Sequence, residues 1–522
     1  MTSEGIPGRG RFRSGALLAA FLLISCYRAD IARAADPAAP PGTDNSLEPQ
    51  RLTIMDAVKM AFAENTDIRV VSYNPKRAAE LVKGAEAAYD TSLVSSYSYS
   101  FTERPTQSVL DTGFLGDNVY TERRWSITAG LRQPLPWVGG SFTLSQVVDM
   151  LRSNSTLTVP NPQNTSRLTG LLALPLLQGG LDAQNRAAIR IARANAVMSD
   201  EEFRLKAMDV VTDVVRTYWQ LVFDRDLVRV SGEVLAMAEE VNRRERVRLG
   251  RGLSKQLDLD RSVVAVESRR GELLRARNRV SLTTQQLRLL TNDPAVLPPS
   301  DRELVPTDVP TDSEVAIDVG AAVQTALKRR PEVIRAEKAV EAGGARRKLA
   351  WNRSLPKLDA KLAGTINALG TSTNNVLDKA YHDDYTGYSA LLEFEWPIGN
   401  AGPRSEYRRA EIEEEQLRWD LQRTREQAAN EVHISIKNVR LAREEILSAK
   451  VTVDAARTLV AGETARFELG QSTSDDLLRA QDQLGSAERE YARALASYNV
   501  NLAALRRAEG TILETMGIAS AK

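Results

Sequence analysis

Two tracts of this chain carry one pattern, and a chain that repeats itself over such a distance must fold into a repeated object. Around Gly252 the sequence reads Arg248-Leu249-Gly250-Arg251-Gly252-Leu253-Ser254, and around Gly470 it reads Arg466-Phe467-Glu468-Leu469-Gly470-Gln471-Ser472. Arg248 matches Arg466, Gly252 matches Gly470, Ser254 matches Ser472, Asp258 matches Asp476 and Leu259 matches Leu477, each 218 positions apart. Nearer the start the offset is 265, where Ala57, Val58, Ala61 and Leu93 match Ala322, Val323, Ala326 and Leu358. A tandem duplication of this kind governs every local reading.

Each glycine interrupts a long helical pattern and is followed by good N-cap residues, Ser472, Thr473 and Ser474 in the second copy, so each tract reads as the tip of an antiparallel helical hairpin. Residues 181–249 contain no proline, and at 1.5 Å per residue such a run approaches roughly 100 Å. A helix that long needs packed neighbours. The returning helices supply a seam: Leu477, Leu484, Tyr491, Tyr498 and Leu505 fall seven apart, and Leu259, Val266, Leu273, Val280 and Leu287 do the same in the first copy. Ala480, Ala487 and Ala494 alternate small residues with the large ones.

Between the opening helix of each copy (Val58, Ala61 and Phe62 on one face) and its hairpin, the period changes from 3.6 to 2. Leu93, Ser95, Tyr97, Tyr99 and Phe101 alternate with Val94, Ser96, Ser98, Ser100 and Thr102, and Trp125, Ile127, Ala129 and Leu131 with Ser126, Thr128, Gly130 and Arg132; in the second copy Leu358 to Ile366 and Tyr388 to Trp396 behave alike. Strands of roughly ten residues with one apolar face have the dyad pattern of a transmembrane β-barrel. A half-buried strand of a soluble sandwich has the same pattern. An exported leader, aromatics at several strand ends and polar connections at 153–165 and 374–386 favour the membrane. The first copy carries an extra pair of strands, around 125–133 and 141–148. If the apolar faces meet lipid, Asp359, Lys361, Glu393 and Glu395 face the lumen.

The N-terminus has Arg9, Arg11 and Arg13 before an apolar run at 15–24, the build of a secretory leader. Two exits are legible: cleavage after Ala34, or cleavage before Cys26, which would leave that cysteine acylated. The chain thus divides into a leader (1–34), a flexible lead-in (35–51), a first repeat (52–295), a linker (296–315) and a second repeat (316–516). Lys+Arg 69 against Asp+Glu 68 gives no basic surface for nucleic acid, and one cysteine with two distant histidines draws neither a disulfide framework nor a Cys/His metal site. His433 lies in a helical pattern and His382 reads as a loop residue, so no catalytic, cofactor or metal site is expected.

With leader, duplicated helix-strand-helix-helix units and paired glycine tips, residues 52–516 resemble the TolC-like outer membrane efflux protein family. That resemblance implies mixed α and transmembrane β structure. Three copies would build one β-barrel in the outer membrane of a Gram-negative bacterium and one α-helical coiled-coil tunnel crossing the periplasm. It further implies that the hairpin tips, at Arg248, Gly252, Leu253, Ser254, Arg466 and Gly470, contact a periplasmic adaptor (membrane fusion) protein, and through it an inner-membrane transporter. Asp258, Phe467, Ser472 and Asp476 then belong to the periplasmic entrance, although Ser472 stands where some members have arginine. Asp476 from three subunits would form an acidic ring; equally, Asp258, Asp475 and Asp476 are residues that favour helix N-termini.

The function expected is a passive export duct of a tripartite efflux pump, without chemistry of its own. The channel of a type I protein secretion system fits the same residues. An exported tether or adhesin with a barrel anchor is the reading from another class, and it gives no reason for two matching tips.

Overall fold

The structure, a computed structural model, describes residues 50–112, 118–292, 303–382 and 385–518. The leader with Ala34 and Cys26, nearly all of the lead-in and the first part of the linker lie outside the described residues.

The duplication is visible in the element boundaries. The first copy opens with strand β1 (Gln50–Leu52) and helices α1 (Ile54–Glu64), α2 (Thr66–Val71) and α3 (Tyr73–Glu86). Then follow β2 (Ser92–Pro105), α4 (Val109–Thr112), β3 (Val119–Leu135), β4 (Gly140–Ser153), β5 (Gln163–Pro175) and the hairpin α5 (Ala183–Gly250) and α6 (Gln256–Thr291). The second copy has β6 (Leu304–Pro306), α7 (Val319–Arg329), α8 (Pro331–Arg353), β7 (Lys357–Gly370), α9 (Thr373–His382) and β8 (Thr386–Glu395). It ends in the hairpin α10 (Ala401–Glu468) and α11 (Ser474–Glu509), then α12 (Ile512–Thr515). Helices α5 and α10 are both 68 residues long, α6 and α11 both 36, and both pairs keep the 218-residue offset at each end. Likewise β2 and β7 are both 14 residues long at an offset of 265. The offset falls from 265 before the later strands to 218 after them, so the first copy is 47 residues longer there. That surplus holds the β3–β4 hairpin.

The six long strands among the described residues form one antiparallel sheet in the order β2-β3-β4-β5-β7-β8, so the sheet crosses from one copy to the other where β5 pairs with β7. Directly paired residues share a face. The register therefore collects Tyr97, Ile127, Val148, Leu172, Leu362 and Leu392 on one apolar face, and Ser98, Ser126, Thr143, Thr169, Thr365 and Glu393 on one polar face. The outer strands β2 and β8 each have one edge without a partner among the described residues.

In each hairpin the long helix packs along the short one, and α11 also packs on α5, joining the two hairpins. Most of the heptad seam is interior: Val266, Leu287, Leu477, Leu484, Tyr498 and Leu505 are buried, together with Ala480, Ala487 and Ala494, while Leu259, Leu273, Val280 and Tyr491 are half-buried. Each large side chain removed from water there contributes about 1.5–3 kcal/mol. Where α11 meets α5, a side chain at Gly485 would place its first carbon 2.6 Å from Val234 Cγ2, so the residue has to be small. Helix α8 bridges α5 and α10.

Two short stretches depart from the expected reading. The linker contains β6, which pairs in parallel with β1. The Tyr218 hydroxyl donates to the Leu52 carbonyl (3.1 Å) and to Asp308 Oδ2 (2.5 Å), tying this ladder to α5. Three-residue strands are too short to show alternation. The polar connection 374–386 contains α9, held by Val376 packing on Ala368, and His382 is its last residue rather than a loop residue. No helix among the described residues is long and apolar enough to cross a membrane.

Candidate functional site

The two hairpin tips share a scaffold at four matching positions, a glutamate, an arginine, a glycine and a serine. Gly252 and Gly470 sit at φ 75° and 73°, the left-handed conformation that ends a helix at little cost only for glycine. Behind each, a backbone amide turns back onto the arginine: Leu253 N–H donates to the Arg248 carbonyl and Gln471 N–H to the Arg466 carbonyl, both at 2.8 Å. The serine two positions after each glycine then reaches down its own hairpin. Ser254 Oγ donates to Glu245 Oε2 at 2.5 Å, and Ser472 Oγ donates to Glu463 Oε2 at 2.6 Å. The same carboxylates face the arginines, with Arg248–Glu245 at 3.5 Å and Arg466–Glu463 at 3.0 Å. Glu245 and Glu463 were not among the residues singled out from sequence. The signal was available, since the two stand 218 apart like the rest of the motif.

The tips differ in how the return helix starts. In the second, Thr473 is the N-cap of a capping box: Asp476 N–H donates to Thr473 Oγ1 (3.2 Å), and the Thr473 hydroxyl (2.6 Å) and amide (3.3 Å) donate to Asp476 Oδ2. The Thr473 hydroxyl, and then its amide, hold the Asp476 carboxyl below the usual carboxylate range. In the first, Lys255 takes the N-cap position without a side-chain bond, and among the described residues the Asp258 carboxylate faces only Arg261, at 3.9 Å.

Charge separates them further. The first tip has Arg243, Arg244, Arg246, Arg251 and Lys255 where the second has Ala461, Gly462, Thr464, Leu469 and Thr473. Arg246, Arg251 and Lys255 are exposed, beside the exposed apolar side chains of Val247, Leu253 and Leu257.

A groove of about 730 Å³ runs between the tips, lined among others by Val247, Arg248, Leu253, Phe467, Leu469 and Gly470. Arg244 bridges it to Glu468 at 3.2 Å, and the Arg248 guanidinium lies 5.0 Å from the centre of the Phe467 ring. Phe467 itself is only 4% exposed, packed with Leu235, Val241, Val266, Leu477 and Leu478. Within one chain its ring is therefore part of the interior and not of the tip's surface. Ser472 and Asp476 open on a different recess, beside Arg466 and Arg479.

The strand residues singled out from sequence come together. Asp359, Lys361, Glu393 and Glu395 all lie on the polar face, with Asp359 paired to Glu393 and Lys357 to Glu395. Lys361 Nζ meets Glu393 Oε2 at 3.0 Å, while Lys357 lies 3.7 Å from both Asp359 and Glu395. His433 is exposed on α10, and no cluster of potential metal ligands exists among the described residues.

A family model described as outer membrane efflux protein matches residues 144–293 and 322–511. The alkaline protease secretion protein AprF of Pseudomonas aeruginosa is 24% identical over 353 residues, covering 65% of this chain and 69% of that protein. The outer membrane protein TolC of Escherichia coli is 23% identical over 358 residues, covering 66% and 69%. Among solved structures, the outer-membrane channel OprN superposes with a TM-score of 0.66 at 16% identity, covering 88% of this chain and 90% of that one.

Proposed function

The chain belongs to the outer membrane efflux protein family, and from that premise we propose that three copies form a passive duct from the periplasm through the outer membrane, docked by their hairpin tips to a periplasmic adaptor of a tripartite efflux pump. The observation that carries the docking is the preserved pair of tips. Glu245, Arg248, Gly252 and Ser254 recur as Glu463, Arg466, Gly470 and Ser472 with the same bonds, although the residues between them have diverged. A tether or adhesin needs no such pair. The groove between the tips supplies a place for a helical partner, and the surplus of exposed cations on the first tip supports a partner with acidic side chains there. The polar sheet face, with Asp359, Lys361, Glu393 and Glu395, lines the water-filled lumen in this reading, and the apolar face meets lipid. In the same reading Asp258 and Asp476 stand near the periplasmic entrance, and Phe467 supports it from within.

Photo-crosslinking tests the docking: a photoreactive side chain at Leu253 or Gln471, in cells producing the cognate adaptor, should capture that adaptor, and a probe at exposed Leu93 on the sheet should not. Capture at neither tip would end the proposal. The likeness to AprF favours a second cargo, a secreted protein. Deleting the gene separates the two: loss of drug resistance marks efflux, and loss of a secreted protein from the medium marks secretion.

A further inference from the structure

The extra hairpin of the first copy is built as barrel wall. β3 pairs with β2 from Ser92↔Arg132 to Pro105↔Val119, and β4 pairs with β5 from Ser141↔Ala173 to Leu151↔Gln163. Its side chains continue the sheet's two faces, with Trp125, Ile127, Leu144 and Val148 on the apolar side and Ser126, Thr128, Thr143 and Ser145 on the polar one; the exceptions include Gln146, which bonds Ser166 on the apolar side, and Val147 on the polar side. The turn closing it carries Trp137, 78% exposed, at the same end of the sheet as the exposed Trp396, as an interfacial aromatic would be placed.

Each chain therefore brings six strands among its described residues, whereas the duplicated strands alone, β2 and β5 with β7 and β8, would bring four. An even antiparallel order leaves the free edges of β2 and β8 running in opposite directions, each with its apolar residues on the same side of the sheet: Leu93, Tyr97 and Tyr99 on β2, Tyr388, Leu392 and Phe394 on β8. Unpaired backbone groups at such edges are not tolerated in lipid. We propose that β8 of one copy pairs with β2 of the next, and that the inserted β3–β4 hairpin widens the common barrel to three times six, or eighteen, strands instead of twelve. This rests on the three-copy duct proposed above. Barrel diameter grows roughly linearly with strand number, so the open cross-section grows about twofold.

Electron cryomicroscopy of the full-length protein in lipid nanodiscs reads the strand number directly. Eighteen strands with β3 and β4 in the wall is the expected result. A trimer with twelve strands and the hairpin outside would overturn this inference while leaving the duct intact; no trimer at all would remove both. Thiol crosslinking in native membranes gives an independent reading. Ser98→Cys with Ser126→Cys should join within one chain through a short bismaleimide, because these residues are directly paired across β2 and β3. Ser389→Cys combined in turn with Ser96→Cys, Ser98→Cys or Ser100→Cys should join neighbouring chains, and the native chain, with Cys26 as its only cysteine, should give neither product. Absence of the within-chain product in trimers that give the between-chain one would show that the hairpin is not wall.

Discussion

Replacing Glu245 by alanine tests whether the tips are held as their bonds imply. Its side chain is 2% exposed and accepts the Ser254 hydroxyl at 2.5 Å, with Arg248 at 3.5 Å. A hydrogen bond to a charged group contributes about 1.5–3 kcal/mol, and the longer Arg248 contact adds little because the guanidinium is partly solvated. Losing the carboxylate should therefore ease local opening of the turn by about 1.5–3 kcal/mol, which corresponds to roughly 10- to 150-fold faster exchange. The reporter is the Leu253 amide, whose 2.8 Å bond to the Arg248 carbonyl closes that turn. Hydrogen exchange with mass spectrometry on the detergent-solubilised protein should show peptides over Leu253 accelerated and those over Gln471 unchanged. Glu245→Gln, which keeps an acceptor, should recover part of the protection. Glu463→Ala should speed Gln471 in turn, by less, since Glu463 is 15% exposed against 2% for Glu245. Unchanged exchange at Leu253 in Glu245→Ala would refute the reasoning, as would equal acceleration at both tips.

Further outcomes follow from neighbouring features. Gly470→Val forces a branched residue to φ 73°, costing about 1–2 kcal/mol in backbone strain, yet meets open space, so trimers should assemble while adaptor capture and resistance fall; normal resistance would count against tip docking. Asp476→Lys should shift cation preference in planar-bilayer conductance, and an unchanged preference would remove the acidic-ring reading. Because Asp476 is lowered in the folded state, its share of the cap is complete above the ordinary value of 3.8 and is lost as the pH falls through the lower folded value; protection of its own amide, which donates to Thr473, should hold down to that range, and loss near neutral pH would contradict the assignment. Gly485→Leu should loosen the contact of α11 with α5 at Val234 by about 1–3 kcal/mol, seen as a lower midpoint of thermal trimer dissociation; an unchanged midpoint would mean that the two hairpins do not bear on each other there.

How much of this was legible depended on the length over which a pattern runs. The heptad seam from Leu477 to Leu505 spans four repeats, so its period declared both the helix and the face it buries. The strands declared themselves by alternation, and the sheet's register then showed that Asp359, Lys361, Glu393 and Glu395 share one face, as alternation required. β6 and α9 were missed because three residues, or one buried valine, carry no period. At the tips, pattern located the two turns and hid the bonds that hold them. Phe467 aligns with Leu249 and sits beside the exposed turn, but only three-dimensional packing shows that it turns inward under Arg248. Glu245 and Glu463 lie nine residues before their serines, across a reversal of the chain, a separation at which linear spacing says nothing about contact until the turn is known. The duplication offers the missing constraint. Two copies free to diverge have kept the four residues that shape each turn and changed the charges around them, from Arg243, Arg246, Arg251 and Lys255 to Ala461, Thr464, Leu469 and Thr473. Shape held constant while charge varies is what a ring of alternating tips requires if each of the two kinds meets a chemically different part of one partner.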